Sequence, residues 1–189
     1  MGQPFYTIGH GTRSLPEFVD LLKSVDVTLV ADVRTVPRSR TNPQYNRDSL
    51  PQSLEPFGID YEHVASLGGL RGAVREVPQM LNAFWENRSF HNYADYALSA
   101  SFRKGLAHLR ELGRERRSVI MCAETVWWRC HRRIITDYLL AAGECGFHIL
   151  APGHVAAATM TEAACPQGDG TLIYPASPPQ KSRRSIRPG

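Results

Sequence analysis

Residues 119–140 read VIMCAETVWWRCHRRIITDYLL, and the spacing of their apolar residues changes once along the stretch. Val119, Ile120 and Met121 form a short apolar run of the kind a buried strand shows, and the run stops where Cys122, Ala123 and Glu124 begin polar chemistry. From Cys130 onward Ile134, Ile135, Tyr138, Leu139 and Ala142 recur at helical spacing, with Gly143 placed to end the helix. The stretch is therefore expected to run strand, loop, helix. A thiol and a carboxylate end the strand. A second thiol, an imidazole and the guanidiniums of Arg132 and Arg133 open the helix. The first turn of a helix has unpaired N–H groups and partial positive charge, which lower thiol pKa values and attract anions.

The same alternation runs through the rest of the chain. Residues 5–8 read as a strand ending in Gly9-His10-Gly11, and Ser14 with Glu17 makes a capping box ahead of the apolar face Phe18, Leu21, Leu22 and Val25. Residues 27–33 are nearly all apolar, as a parallel strand buried on both faces should be. Together they make a βαβ unit, whose crossover is right-handed in nearly every case. Residues 34–47, RTVPRSRTNPQYNR, form a loop punctuated by Pro37 and Pro43 that carries four arginines and no acid. A short helix over 49–57 closed by Gly58, a strand over 61–64, a helical segment over 78–85 and one long or broken helix over 92–113 lead to the central stretch. A strand over 147–150, a helix around 159–164 and a final edge strand over 172–174 follow. Strands alternating with helices predict an α/β layered domain with a mostly parallel sheet flanked by helices. In such sheets ligands bind beyond the carboxyl ends of the strands. That places Gly9, His10, Asp32, Arg34, Cys122 and Glu124 in one cleft, with the start of the Cys130 helix beside it.

Composition sets the bounds. A chain of 189 residues with 42% hydrophobic and 21% charged residues suits one soluble domain, set here at residues 1–175. No apolar run approaches the roughly 18 to 20 residues that span a bilayer, and the N-terminus lacks the layout of a signal peptide. A cytoplasmic location and no membrane partner are expected. Four cysteines in a chain of this length predict free thiols rather than a disulfide framework. The net charge of +4 is accounted for by Lys181, Arg183, Arg184 and Arg187, so residues 176–189 are expected to be a disordered basic tail. Such a tail either touches nucleic acid or aids solubility.

Five separated motifs occur in order: TIGHGTRS at 7–14, DVRTVPRSRTNPQYN at 32–46, LGG at 67–69, NYADY at 92–96, and MCAE at 121–124 followed by WRCHR at 128–132. On these the chain, from about residue 5 to 174, resembles the family known as domain of unknown function 488. The resemblance implies a Rossmann-like α/β domain of bacteria and archaea and brings no established reaction. Its motifs coincide with the predicted cleft.

Chemistry must come from the residues. Arg34, Arg38, Arg40, Arg71 and Arg132, with the Gly9 backbone at a strand end, point to an anionic ligand, since guanidinium suits bidentate contact with phosphate or carboxylate. Solvated loop charges and ion pairs with Asp32, Glu62 or Glu124 are the plainer alternative. Tyr45, Tyr93 and Trp128 are candidates to stack a base. Cys122 and Cys130 are candidate nucleophiles assisted by His131 or His10, although free cysteine is often only a small buried hydrophobe. The pattern resembles the anion loops of cysteine phosphatases and sulfurtransferases but departs from them: those loops carry an arginine six residues beyond the cysteine with small residues between, whereas here position 128 is Trp, Arg129 comes one later, and Trp127 and Trp128 would obstruct a nest of backbone N–H groups. Cys122, Cys130, His131 and His10 are metal-ligand types, yet their spacing fits no paired zinc pattern, and adjacent residues rarely reach one ion from a helix, so no metal is expected. Glu124 is a candidate general base or acid with His131 or His10 as its partner. The sequence thus predicts an enzyme acting on a phosphate-bearing, nucleotide or nucleic-acid, substrate. The alternatives are a non-catalytic nucleotide or nucleic-acid binding module and a cysteine-dependent transferase or redox enzyme. The cofactor and the oligomeric state are left open.

Overall fold

In the computed structural model, which describes residues 2–176, the first strand β1 (Phe5–Gly9) is buried at every residue. The capping box forms as expected: the Ser14 side chain accepts from the Glu17 N–H and the Glu17 carboxylate accepts from the Ser14 N–H, which starts α1 (Leu15–Lys23). The chain continues through β2 (Leu29–Asp32), α2 (Leu50–Leu54) and β3 (Asp60–His63). Gly58, with φ of 69°, takes the left-handed turn between α2 and β3 that its position in the sequence predicts. The long or broken helix expected over 92–113 is broken, into α3 (Arg88–Ala97) and α4 (Ala100–Glu115), because Ser99 turns its hydroxyl to the Phe102 N–H and caps a new start. Then come β4 (Ser118–Cys122), α5 (Arg132–Ala141), β5 (Gly146–Ala151) and β6 (His154–Ala157).

Six strands form a sheet in the order β3-β2-β4-β1-β5-β6, parallel except where β6 folds back on β5. The architecture is the α/β layering that the alternation predicts. The connections explain the layers. From β1 to β2 to β3 the chain moves toward one edge, and from β3 to β4 to β5 it moves back. Right-handed crossovers then send α1 and α2 to one face and α3, α4 and α5 to the other. The core divides accordingly: Phe18, Leu22, Leu50 and Leu54 pack on the first face, and Tyr93, Phe102, Leu109, Ile135 and Tyr138 on the second.

Three expectations change. Residues 78–85 hold only a tight helical turn at Gln79–Asn82. No helix forms around 159–164; the Thr161 N–H bonds instead to the buried carboxylate of Asp137 at 2.8 Å, which ties this segment to α5. The strand at Leu172–Ile173 is no edge of the main sheet but pairs with Cys165–Pro166 in a separate two-stranded ribbon, anchored where the Tyr174 hydroxyl donates to Asp137 at 3.0 Å. No helix among the described residues is long and apolar enough to cross a membrane. The basic tail lies, from residue 177 on, outside the described residues.

Candidate functional site

Strand β4 sits between β2 and β1, and the helix that follows it lies on the opposite face from the helices that follow its two neighbours. A crevice can therefore open on either side of its carboxyl end. The β1 side is shut. The His10 N–H bonds the Cys122 carbonyl at 2.9 Å and the Gly11 N–H bonds the Ala123 carbonyl at 3.0 Å, which continues the pairing past both strands. A Cβ on Gly9 would stand 2.0 Å from the Glu124 carbonyl oxygen, so only glycine lets the two chains meet there. The β2 side is open. A pocket of about 310 Å³ lies there, walled by Arg34, Thr35 and Val36 after β2, by Cys122, Ala123 and Glu124 after β4, and by Arg129, Cys130 and His131 before α5. Gly69 and Leu70 close one side, and Ser89 and Phe90 of α3 the other.

One wall is a fixed guanidinium. Arg34 is 6% exposed and forms a two-pronged pair with Asp32, Nε to Oδ1 at 2.9 Å and Nη2 to Oδ2 at 2.6 Å. Nη2 also donates to the Tyr45 carbonyl, and Nη1 meets His10 Nε2 at 3.2 Å. Of the five N–H groups of a guanidinium, one remains for a ligand. Asp32 is satisfied as well, since it takes the Tyr61 hydroxyl at 2.7 Å. His10 is 2% exposed, lies flat on the Tyr45 ring at 4.0 Å between centroids, and directs Nδ1 to the Gly11 carbonyl at 2.9 Å. Burial pushes its pKa down to about 4, the Gly11 carbonyl opposes the shift and the Arg34 charge adds to it. His10 is thus a neutral acceptor that steadies Arg34 from beneath, and the structure places it outside the pocket wall.

The other wall is sulfur. Residues Trp127–Arg129 make a tight turn, Cys130 is extended at φ of −121° and ψ of 146°, and His131 caps α5. Cys130 and His131 therefore precede the helix rather than sit on it. Their ligand atoms and Cys122 Sγ lie within 4.8 Å of one another. His131 Nδ1 is 3.6 Å from Cys130 Sγ, while Nε2 meets the Val33 carbonyl at 2.9 Å. A carbonyl can only accept, so Nε2 carries the proton and Nδ1 faces the sulfurs. Arg132, 1% exposed, donates from Nε to Cys130 Sγ at 3.2 Å and from Nη2 to the Glu124 carbonyl. Among the described residues no carboxylate comes within ion-pair distance of it. Burial alone would raise the Cys130 thiol, but the hydrogen bond from Cys122, the adjoining His131 imidazole and the Arg132 charge outweigh it and hold Cys130 well below the usual thiol value. The hydrogen bond to Cys130, with burial, pushes Cys122 up by contrast.

The remaining candidates separate by position. Glu124 is at the exposed rim, where Oε1 accepts the Val126 N–H at 2.9 Å. Tyr45 and Tyr93 are fully buried, their hydroxyls bound to the Arg13 and Leu67 carbonyls, so neither ring can receive a base. Trp128 is 53% exposed but lies outside the pocket wall, packed edge-on to Trp127. Arg71 holds the Gly68, Ala65 and Ser66 carbonyls and covers the Tyr96 ring. Arg38 pairs with Asp48 in solvent, and Arg40 is exposed in the same loop. The residues that sequence alone did not single out are Arg129, Thr35, Val36, Gly69, Leu70, Ser89 and Phe90. Arg129, beside Cys130, had the charge and the position to be noticed; Ser89 and Phe90 reach the pocket only through the placement of α3.

The family model described as Domain of unknown function DUF488 matches residues 14–139. No curated protein and no solved structure matches the chain.

Proposed function

The chain belongs to the DUF488 family, and from its pocket we propose that it is an enzyme acting on a small phosphate-bearing substrate at the carboxyl ends of β2 and β4. One observation carries the proposal: Cys130 Sγ takes a hydrogen bond from the buried, carboxylate-free Arg132 at 3.2 Å, in the wall of a pocket that also presents Arg34 and Arg129. A sulfur held this way serves as a nucleophile or as a metal ligand, and a purely binding surface needs neither. Arg34 offers one rigid N–H, and exposed Arg129 supplies the second cationic contact for the anion. Val36, Leu70 and Phe90 give the pocket apolar walls for the body of the ligand. Glu124, at the rim, is the group placed to carry a proton. A volume of about 310 Å³ fits a small molecule or part of one nucleotide better than a polymer, which favours the enzyme over a nucleic-acid binding module.

Thermal shift with inorganic phosphate, sugar phosphates and nucleotides tests this. A ligand at a hundredfold excess over Kd adds about 2.7 kcal/mol, a Tm rise of roughly 5 to 10 °C for a chain of this size. Arg129→Ala should abolish the shift and Arg38→Ala should keep it. Once a substrate is found, Glu124→Gln should lower kcat with little change in Kd. A screen with no phosphate-dependent shift, or an unchanged shift in Arg129→Ala, sinks the proposal.

A further inference from the structure

The thiols and the imidazole at this pocket have a geometry that neither a lone nucleophile nor core packing requires. A tetrahedral zinc ion with bonds of roughly 2.3 Å to sulfur and 2.0 to 2.1 Å to nitrogen sets its S and N ligands about 3.6 Å apart. Cys130 Sγ and His131 Nδ1 are 3.6 Å apart, and Cys122 Sγ falls within 4.8 Å of both. We propose that Cys122 Sγ, Cys130 Sγ and His131 Nδ1 form a three-ligand site for a borderline-soft divalent metal, zinc first, with the fourth coordination position open to the pocket.

Three independent features support it. Metal-bound histidines give their second ring N–H to a carbonyl or carboxylate, which fixes the tautomer, and His131 does this through Nε2 to Val33. A Cβ at residue 69 would stand 2.4 Å from His131 Nδ1, 2.7 Å from Cγ and 2.8 Å from Cε1, over the face of the ring, so Gly69 lets the backbone lie against the imidazole and holds the ring plane in which Nδ1 faces the sulfurs. Arg132 contributes an N–H to Cys130 Sγ, the kind of outer contact that stabilises a metal-bound thiolate. Two thiolates would neutralise a divalent ion, and Arg132 would leave the site with a net positive charge facing the pocket, which suits an anion in the open position. The adjacency of Cys130 and His131 is no obstacle, because the extended Cys130 backbone, not a helix, sets their relation. Three protein ligands with one open position is the arrangement of catalytic rather than structural zinc. The inference rests on the reading of this pocket as the active site, and it names the group that would meet the substrate.

The test uses the whole chain, kept reduced, stripped with a chelator and titrated with Co²⁺. The expected result is a one-to-one complex with a sulfur-to-cobalt charge-transfer band in the near ultraviolet and strong tetrahedral bands in the visible, all displaced by Zn²⁺. Cys122→Ser, at a partly buried position, and His131→Ala should each weaken Co²⁺ binding by more than about tenfold, with circular dichroism confirming that they fold. Gly69→Ala should weaken it while leaving all three ligands in place. Cys145→Ser with Cys165→Ser should change nothing. A reduced wild-type protein without the charge-transfer band, or Co²⁺ affinity and band intensity unchanged in Cys122→Ser, overturns the site. If the metal is absent while the Arg129-dependent phosphate shift persists, the pocket stands and Cys130 acts as a free thiolate. If Co²⁺ binds while no phosphate compound does, the metal stands and the substrate class falls.

Discussion

Asp32 and Arg34 are two residues apart at the end of one strand, and both are withdrawn from water. Charges in that position stabilise only as a pair. Removing one leaves the other buried and uncompensated, which costs about 3 to 5 kcal/mol. Asp32→Ala should therefore lower the unfolding free energy by that amount, measured by urea denaturation, and should weaken phosphate binding because Arg34 loses its anchor. A loss near 1 kcal/mol would mean that the pair is more solvated than its burial indicates. At this scale the sequence was legible in residue type and poor in residue environment. Cys122, Cys130, His131 and Arg34 are named by chemistry and chain position, and they converge on one pocket. Tyr45 stands in a polar loop and Tyr93 in a helix with few apolar neighbours, surroundings in the sequence that an exposed aromatic shares. Their burial comes from packing against His10 and Phe102, contacts that no local pattern encodes.

Elements are set by caps and by close approaches, some visible beforehand and some not. The Ser14 capping box was readable because both of its partners lie within one turn. The break between α3 and α4 was half readable, since Ser99 is a capping residue inside an otherwise helical period. The hairpin of β5 and β6 turns on Pro152-Gly153, a dipeptide with a clear turn signal, with Gly153 at φ of 71°. Gly113 near the end of α4 was unreadable as anything but a weak helix residue. In the structure a Cβ there would stand 2.1 Å from the Phe5 ring of β1. Gly113→Ala gains up to about 1 kcal/mol of helix propensity but forces a buried ring to move, at about 1 to 3 kcal/mol. The variant should be less stable than wild type, and a rise in Tm would show that α4 can slide away from β1.

Across the whole molecule, the order of the strands decides where chemistry can sit. The sequence showed alternation and hence layers, but the order, which places β4 between β2 and β1, depends on long-range pairing that spacing does not reveal. The same sheet buries His148 beneath Trp127, the rings parallel at 4.1 Å, with Nδ1 2.7 Å from the Thr7 hydroxyl. Burial, with a smaller push from Arg132, lowers its pKa from 6.5 to about 4. The unfolded chain then binds a proton that the folded chain refuses. Stability supplied by the neutral imidazole is complete above pH 6.5 and is lost as pH falls toward 4. Tm should drop across that window, and His148→Asn should flatten the drop; an equally steep acid limb in the variant would assign it to carboxylates instead.

The bonds from His10 and Gly11 to the β4 loop have a last consequence, which is thermodynamic. They extend the sheet into the site, so the Cys122 side of the sulfur wall is held by backbone pairing before a ligand arrives. The entropy of ordering then falls on the opposite lip, where Val36 and Leu70 are 60% and 75% exposed. Affinity is set by how little freedom that lip surrenders, and reactivity by the strand end that the sheet already holds.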